Sequence, residues 1–186
     1  MKPLIICKSC GYVMAKSGLR NTCPACGVPA KMFEDYVDRV SPRRGAILAL
    51  DIHPVLAHFP QAFVFTVLVL TCVLFTAEGA VRERIASALS VIAALLPFTV
   101  LLTFLGGLFD GRIRFHRVTT TILVRKMVLG SLFLLFSLGT LLIVLFRPLE
   151  APHVLPLLLL VELGAFACSA ALGFLGARLL NAKFPG

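Results

Sequence analysis

Four of the six cysteines in this 186-residue chain lie in one short stretch, CKSCGYVMAKSGLRNTCPACG, residues 7–27. They form two C-x2-C pairs separated by 12 residues, and each pair is typical of a tight chain reversal. Two such reversals can direct four sulfur atoms at one point, as a tetrahedral metal site requires. The sequence therefore predicts a metal centre with four ligands, Cys7, Cys10, Cys23 and Cys26. Iron and zinc both accept four thiolates, so the spacing leaves both metals open.

Three of the four histidines lie where long apolar segments begin or end. His53 and His58 belong to LDIHPVLAHFPQAF, residues 50–63, and His116 belongs to DGRIRFHR, residues 110–117. An imidazole near hydrocarbon costs free energy unless it is paired, so these side chains are candidates for cofactor binding. A b-type haem takes two axial ligands from different helices, and His58 with His116 are the predicted pair. His53 is the substitute ligand and projects roughly 140° from His58 around an ideal helix.

The polar residues around these histidines allow further interpretations. Basic residues near the second connection are candidates to neutralise haem propionates: Arg112, Arg114, Arg117, Arg125 and Lys126. Histidine and acid side chains at a membrane edge can also hydrogen-bond a quinone headgroup and relay protons. Alternatively, the histidines form a polar network with Asp51 and Asp110 that only fixes the helices. A nonhaem metal site built from the same residues lacks the usual helical ligand spacing.

Glu162, in LLLLVELGAFA, is the only acidic residue deep inside an apolar segment. A carboxyl group at that depth should be neutral or paired. A role in proton relay or substrate binding and a structural hydrogen bond both stay open for it.

The composition is that of a membrane protein, since 59% of the residues are hydrophobic and the mean hydropathy is +0.96. Four apolar runs, at 54–77, 85–109, 119–146 and 154–177, each have about the 20 residues that a ~30 Å hydrocarbon core requires. Their short connections predict antiparallel neighbours in a four-helix bundle.

The net charge of +9 is explained by orientation in a membrane, because no RNA-binding aromatic motif or DNA-recognition helix is visible. Only three of the 18 basic residues, Arg82, Arg84 and Arg147, fall on one side of the predicted spans. The excess on the other side predicts that both termini are cytoplasmic. The first residues lack the apolar core of a signal peptide, and reduced cytoplasmic thiols favour a metal over disulfides.

The cysteine stretch resembles a rubredoxin-type module, in particular the short form at the C-terminus of rubrerythrins. The resemblance rests on CKSCGYV, CPACG and VPAKMFEDY, which contains Pro29 and Phe33. It implies one iron held by four thiolates and the passage of single electrons. Zinc ribbons share the C-x2-C-G knuckle, so structural zinc is the alternative.

The apolar part resembles the DUF2231 family of small four-span bacterial proteins. HPVLAHFPQAF is similar to the HP-x3-HFP pattern that opens the first span in that family. The resemblance implies a bacterial inner membrane. The label supplies no reaction, but the family also occurs beside redox domains such as Rieske centres and c-type cytochromes. This association favours electron transfer.

These observations predict a membrane all-α protein, an antiparallel four-helix transmembrane bundle with a small N-terminal β-hairpin domain of rubredoxin or zinc-ribbon type. The expected parts are a metal domain at 1–36, a basic linker at 37–52 and a membrane domain at 53–186. The expected function is single-electron transfer between the cysteine-bound iron and a haem b or quinone in the membrane, with a redox protein or membrane complex as partner. Bond-making chemistry is not required, and a homo-oligomer is left open. The alternative is a zinc-ribbon assembly subunit without a redox role.

Overall fold

The computed structural model describes residues 3–37, 41–115 and 119–181, except for the side chains of Pro42 and residues 178–181. The chain divides into two compact units, Met1–Ile47 with Gly176–Gly186 and Leu48–Leu175. A small antiparallel sheet lies in the first unit, and the long apolar helices follow it in the chain. The predicted fold class is therefore confirmed.

The sheet has three short strands, β1 (Leu4–Cys7), β2 (Val13–Ala15) and β3 (Phe33–Tyr36). The strand order is β2-β1-β3, and both pairings are antiparallel. β1 alternates between half-buried and fully buried residues, and the fully buried ones are Ile5 and Cys7. A strand with one buried face explains why the first cysteine of the metal centre points inwards.

The described residues after the sheet form five α-helices: α1 (Pro42–Leu48), α2 (Ile52–Leu74), α3 (Gly79–Phe115), α4 (Thr121–Phe146) and α5 (Val154–Asn181). The four longer ones lie in stretches that are long and apolar enough to cross a membrane. With 37 residues, α3 extends beyond its predicted apolar run at both ends. The apolar run measures only the hydrocarbon thickness, whereas the helix continues into its polar flanks because arginine and glutamate are good helix formers.

Glycines allow the long helices to approach each other closely. A Cβ added at Gly130 of α4 would lie 2.8 Å from the ring of Phe104 on α3. A Cβ at Gly164 of α5 would likewise lie 2.8 Å from Phe136 on α4. Small residues at such crossings are typical of helix packing in membranes, where van der Waals contact replaces the hydrophobic effect.

The interior of the four-helix unit is apolar, and so is much of its exterior. Val64, Val67, Leu89 and Leu158 are among the fully buried core residues. Large apolar side chains also point outwards on all four helices, among them Phe65, Phe98, Leu135 and Leu160. An outer surface of this kind is unsuited to water, so the four helices suggest a membrane protein.

Candidate metal centre and predicted histidine site

The two C-x2-C pairs lie in turns with the same backbone pattern. In the first turn the Gly11 N–H donates to the Cys7 carbonyl at 2.8 Å, and in the second the Gly27 N–H donates to the Cys23 carbonyl at 2.9 Å. The first cysteine of each turn also donates its N–H to the carbonyl five residues later, at 2.9 and 2.7 Å. Both glycines have a positive φ, 73° and 76°, which favours glycine for steric reasons. The repeated pattern explains why the C-x2-C-G sequence occurs twice.

The four sulfur atoms have the spacing of a tetrahedral metal site. All lie within 4.8 Å of one another. The Cys7 and Cys26 Sγ atoms are 3.9 Å apart, and those of Cys10 and Cys23 are 3.8 Å apart. Metal–sulfur bonds of about 2.3 Å in a tetrahedron require sulfur–sulfur distances of about 3.8 Å. Disulfide sulfurs would be about 2 Å apart, and all six cysteines are free.

The site is half open to solvent. Cys7 and Cys23, the first cysteine of each turn, are only 1% and 2% exposed. Cys10 is half-buried and Cys26 is exposed. A metal bound here would be enclosed by β1 on one side and would reach solvent through the two outer thiolates.

The thiols strongly influence each other's protonation. The Tyr12 N–H lowers the pKa of the Cys10 thiol, but burial and the neighbouring thiols raise it to about 12. Burial raises the pKa of the Cys23 thiol, but nearby backbone N–H groups and thiols lower it to about 7. Four adjacent thiolates therefore need a cation, and metal binding should release protons.

Replacing Gly27 by alanine should lower the free energy of unfolding of the metal domain by about 1 to 2 kcal/mol. No atom lies within 4 Å of the added Cβ, so the cost comes only from the left-handed backbone. Gly18→Ala is the matched control, because Gly18 has no positive φ and the Cβ would meet only the flexible end of Met14. Denaturant titration of the metal-loaded protein measures both effects. Equal stability of the two variants would contradict the expected result.

His53 lies between α2 and α3. Its Nδ1 is 3.2 Å from the Thr103 carbonyl and therefore carries the proton that it donates. The ring also lies against Gly107, where an added Cβ would come within 2.9 Å of two ring atoms. The Thr103 hydroxyl returns to α2 and donates to the Leu56 carbonyl at 3.0 Å. The hydrogen bond to the Thr103 carbonyl holds the His53 ring in one orientation and leaves Nε2 as the nitrogen that carries no proton in the neutral ring.

His58 has a different environment from His53. Its side chain is exposed on the outer face of α2, near Val55 and Phe59, which are also exposed. Its Nδ1 donates to the Pro54 carbonyl one turn earlier, at 2.7 Å. The different environments agree with the projection of roughly 140° between the two histidines. His116, the third predicted ligand, lies outside the described residues.

Charged residues lie near His53, at the end of the four-helix unit where α2 begins and α3 ends. Arg114 of α3 contacts Asp51 at 3.5 Å and Asp110 at 3.4 Å. Lys126 of α4 is half-buried and close enough to interact electrostatically with His53 and Asp110. Asp51 itself has a positive φ of 45°, which aspartate tolerates better than most residues. The acids and bases thus largely balance each other around His53.

The nonhaem metal alternative finds no support in the described part of the chain, where only the four cysteines form a group of three or more potential ligands. Sequence reasoning missed the partners of His53, namely the Thr103 carbonyl and Gly107. A carbonyl leaves no signal in the sequence. The Gly106–Gly107 pair in FLGGLFDG is typical of a close helix contact, but the pair does not identify the histidine as the partner.

Comparison with known proteins supports the prediction of a rubredoxin-type domain around the four cysteines. No curated protein and no solved structure matched the chain. Residues 6–34 match the family described as rubrerythrin, rubredoxin-like domain, and this stretch contains the four clustered cysteines. The chain therefore carries a rubrerythrin-type rubredoxin-like domain with a four-cysteine site for a metal, typically iron or zinc, ahead of four apolar helices.

Proposed function

We propose that this protein is a membrane-anchored electron carrier. It passes single electrons between an iron in the four-cysteine site and a membrane cofactor, a b-type haem or a quinone, held by histidines of the helical unit. The observation that carries the proposal is the set of four thiols at tetrahedral spacing, with one side open to solvent. Iron bound by four thiolates supplies one-electron chemistry, because it is stable as both Fe³⁺ and Fe²⁺.

The residues of the metal domain support electron exchange in two ways. The half-exposed Cys10 and the exposed Cys26 give a partner short access to the metal through a sulfur atom. The repeated turns place backbone N–H groups near the sulfurs, and such groups stabilise the more negative, reduced state of a thiolate site. At an iron centre both features would influence the redox behaviour of the metal.

The histidines support a second cofactor through their hydrogen bonds. In both His53 and His58 the Nδ1–H donates to a backbone carbonyl. This bond selects the tautomer in which Nε2 is the unprotonated nitrogen, as a haem ligand or a hydrogen-bond acceptor for a quinol requires. His58 with His116 stay the proposed haem ligands, and His53 is the substitute.

We also propose that the helical unit is of the DUF2231 type and that both termini are cytoplasmic. The first proposal rests on HPVLAHFPQAF at the start of α2. The second rests on the excess of lysine and arginine on one side of the spans. A reporter fused after Gly186 should give a cytoplasmic signal in bacterial cells, and a periplasmic signal would reverse the orientation.

A structural zinc site in an assembly subunit is the second candidate. Its supporting observation is that the protein supplies all four ligands, which is typical of structural zinc sites without an open position. Zinc has no redox chemistry under biological conditions, so metal identity separates the two functions.

Purified full-length protein should contain one iron per chain and show broad visible absorption that bleaches on reduction with dithionite. The reason is that thiolate-to-Fe³⁺ charge transfer disappears when the iron is reduced. Metal analysis and optical spectra of one sample, in both redox states, provide the measurement. Stoichiometric zinc with a featureless spectrum would rule out the electron-transfer proposal.

The same spectra test the membrane cofactor. If haem is bound, His58→Ala should remove its sharp low-spin bands, whereas His153→Ala should leave them unchanged as the matched control. His153 is exposed in the connection that precedes α5. Quinone binding without haem would appear as extractable quinone that His53→Ala and His58→Ala reduce. Haem and quinone contents that are unchanged in both His53→Ala and His58→Ala would contradict the assignment of these histidines.

A further inference from the structure

Glu162 is fully buried in the four-helix unit, and among the described residues only one of its two carboxyl oxygens has a hydrogen-bond partner. Its Oε1 accepts a hydrogen bond from the Thr71 hydroxyl of α2 at 2.9 Å. Its Oε2 is equally inaccessible and has no hydrogen-bond partner among the described residues. None of the ion pairs among the described residues includes Glu162.

A second unpartnered polar atom lies at nearly the same depth. Thr140 of α4 is fully buried, and its Oγ1 has no hydrogen-bond partner among the described residues. Gly139 lies against Val161 of α5, since a Cβ added at Gly139 would be 3.4 Å from that side chain. In antiparallel helices this register leaves Thr140 and Glu162 within about 3 Å of each other in depth. Two helices thus bring unpartnered oxygen atoms to the same level of the core.

Neighbouring elements supply hydroxyl groups and apolar side chains rather than charges. α2 supplies Thr71, and α4 supplies Thr140 and Ser137, whose hydroxyl donates to the Leu134 carbonyl at 2.8 Å. The buried residues of α3 in this core are apolar, such as Leu89 and Leu96. Buried Cys168 and exposed Cys72 are the thiols of α5 and α2. Charged and titratable residues stand at the end of the unit where α5 begins: Glu78, Arg82, Glu83, Arg84, Arg147, Glu150 and His153.

A purely structural role does not explain an acid at this position. A neutral hydrogen bond contributes about 0.5 to 1.5 kcal/mol net, and a glutamine could accept the same bond from Thr71. A buried carboxylate without a cation costs much more than one such bond returns. Protonation at Oε2 removes this charge, so the neutral acid is the less costly form in an apolar core whose described residues supply no cation.

We propose that Glu162 is a proton-binding site inside the helical unit, which exchanges one proton with water at the end where α5 begins. The carboxylate Oε2 takes a proton from hydronium and forms the neutral acid, and the reverse step returns the proton to water. Glu162 is eight residues from Val154, or about 12 Å along the helix, but about 28 Å from Asn181. Thr71 orients the carboxyl group through Oε1. The proposal is independent of the metal and of the histidine cofactor.

Infrared spectroscopy of the full-length protein in lipid nanodiscs tests the proposal. The carbonyl band of a protonated carboxyl group should appear on acidification, disappear at higher pH, and be absent from Glu162→Gln. Glu150→Gln is the matched control, because Glu150 is an exposed glutamate, and it should keep the band. Thr71→Val should shift the midpoint of the titration, since it removes the hydrogen bond to Oε1. If Glu162→Gln does not fold, Glu162→Asp should keep a titrating band at a shifted frequency.

A hydrophobic carbodiimide provides a second readout, because it modifies protonated carboxyl groups in apolar surroundings. Peptide mapping should find the modification at Glu162, with a yield that falls as the pH rises. A band or a labelling yield at Glu162 that does not change with pH would overturn the proposal in favour of a permanently neutral, structural side chain. Protection by Na⁺ at constant pH would also overturn it, because the site would then bind a metal cation.

Discussion

Replacing Cys23 by serine should remove the metal from the protein and unfold the N-terminal domain. Among its described residues only Ile5, Cys7 and Cys23 are fully buried apolar side chains, so two of the three are themselves metal ligands. Three short strands around so small a core cannot offset the entropy of an ordered chain. Binding of a structural metal contributes on the order of 10 kcal/mol in small domains, and here it must supply most of the stability.

Metal content and circular dichroism of the purified variants measure this effect. Cys72→Ser is the matched control, because Cys72 is exposed on α2 and lies outside the four-cysteine group. It should keep one metal per chain. A strong chelator should reproduce the Cys23→Ser result in the wild type and leave the helical signal of α2–α5 in place. Full metal content in Cys23→Ser would show that the tetrahedral assignment is wrong.

Replacing Arg82 by alanine should destabilise the four-helix unit by about 2 to 4 kcal/mol. The half-buried guanidinium donates to the Leu74 carbonyl at 2.6 Å and to the Leu149 carbonyl at 3.0 Å. Leu74 ends α2, where carbonyls lack helical partners and a positive charge is favourable, and Leu149 lies in the connection between α4 and α5. One side chain therefore joins three elements, and alanine would leave two carbonyls without their charged donor.

Unfolding in mixed detergent micelles measures the loss. Arg84→Ala is the matched control, since Arg84 is an exposed arginine two residues further along α3. It should stay close to wild type. Arg82→Lys should recover only part of the stability, because an ammonium group lacks the planar fork that reaches two carbonyls at once. Equal stability of the Arg82→Ala and Arg84→Ala variants would mean that the two hydrogen bonds contribute nothing measurable.

The metal domain was predictable because its determinants are local. The four ligands lie within 20 residues of each other, and each C-x2-C-G turn closes through hydrogen bonds between residues four and five positions apart. Positive φ at Gly11 and Gly27 follows from the same short pattern. The pairing of β3 with β1 was harder to predict, because FEDY has no clear alternation of apolar and polar residues.

The sequence by itself determined the four thiolates and the four apolar helices, since the first depends on short-range turns and the second on hydropathy over about 20 residues. Only the tertiary structure decided that His53 packs against Gly107 while His58 is exposed, that Arg82 reaches Leu149, and that Thr71 meets Glu162 from 91 residues away. These contacts depend on the rotation and depth of each helix relative to its neighbours. A helix that is apolar on every side does not encode its rotation or its depth in its hydrophobic pattern. Small residues and a few buried polar groups therefore determine both.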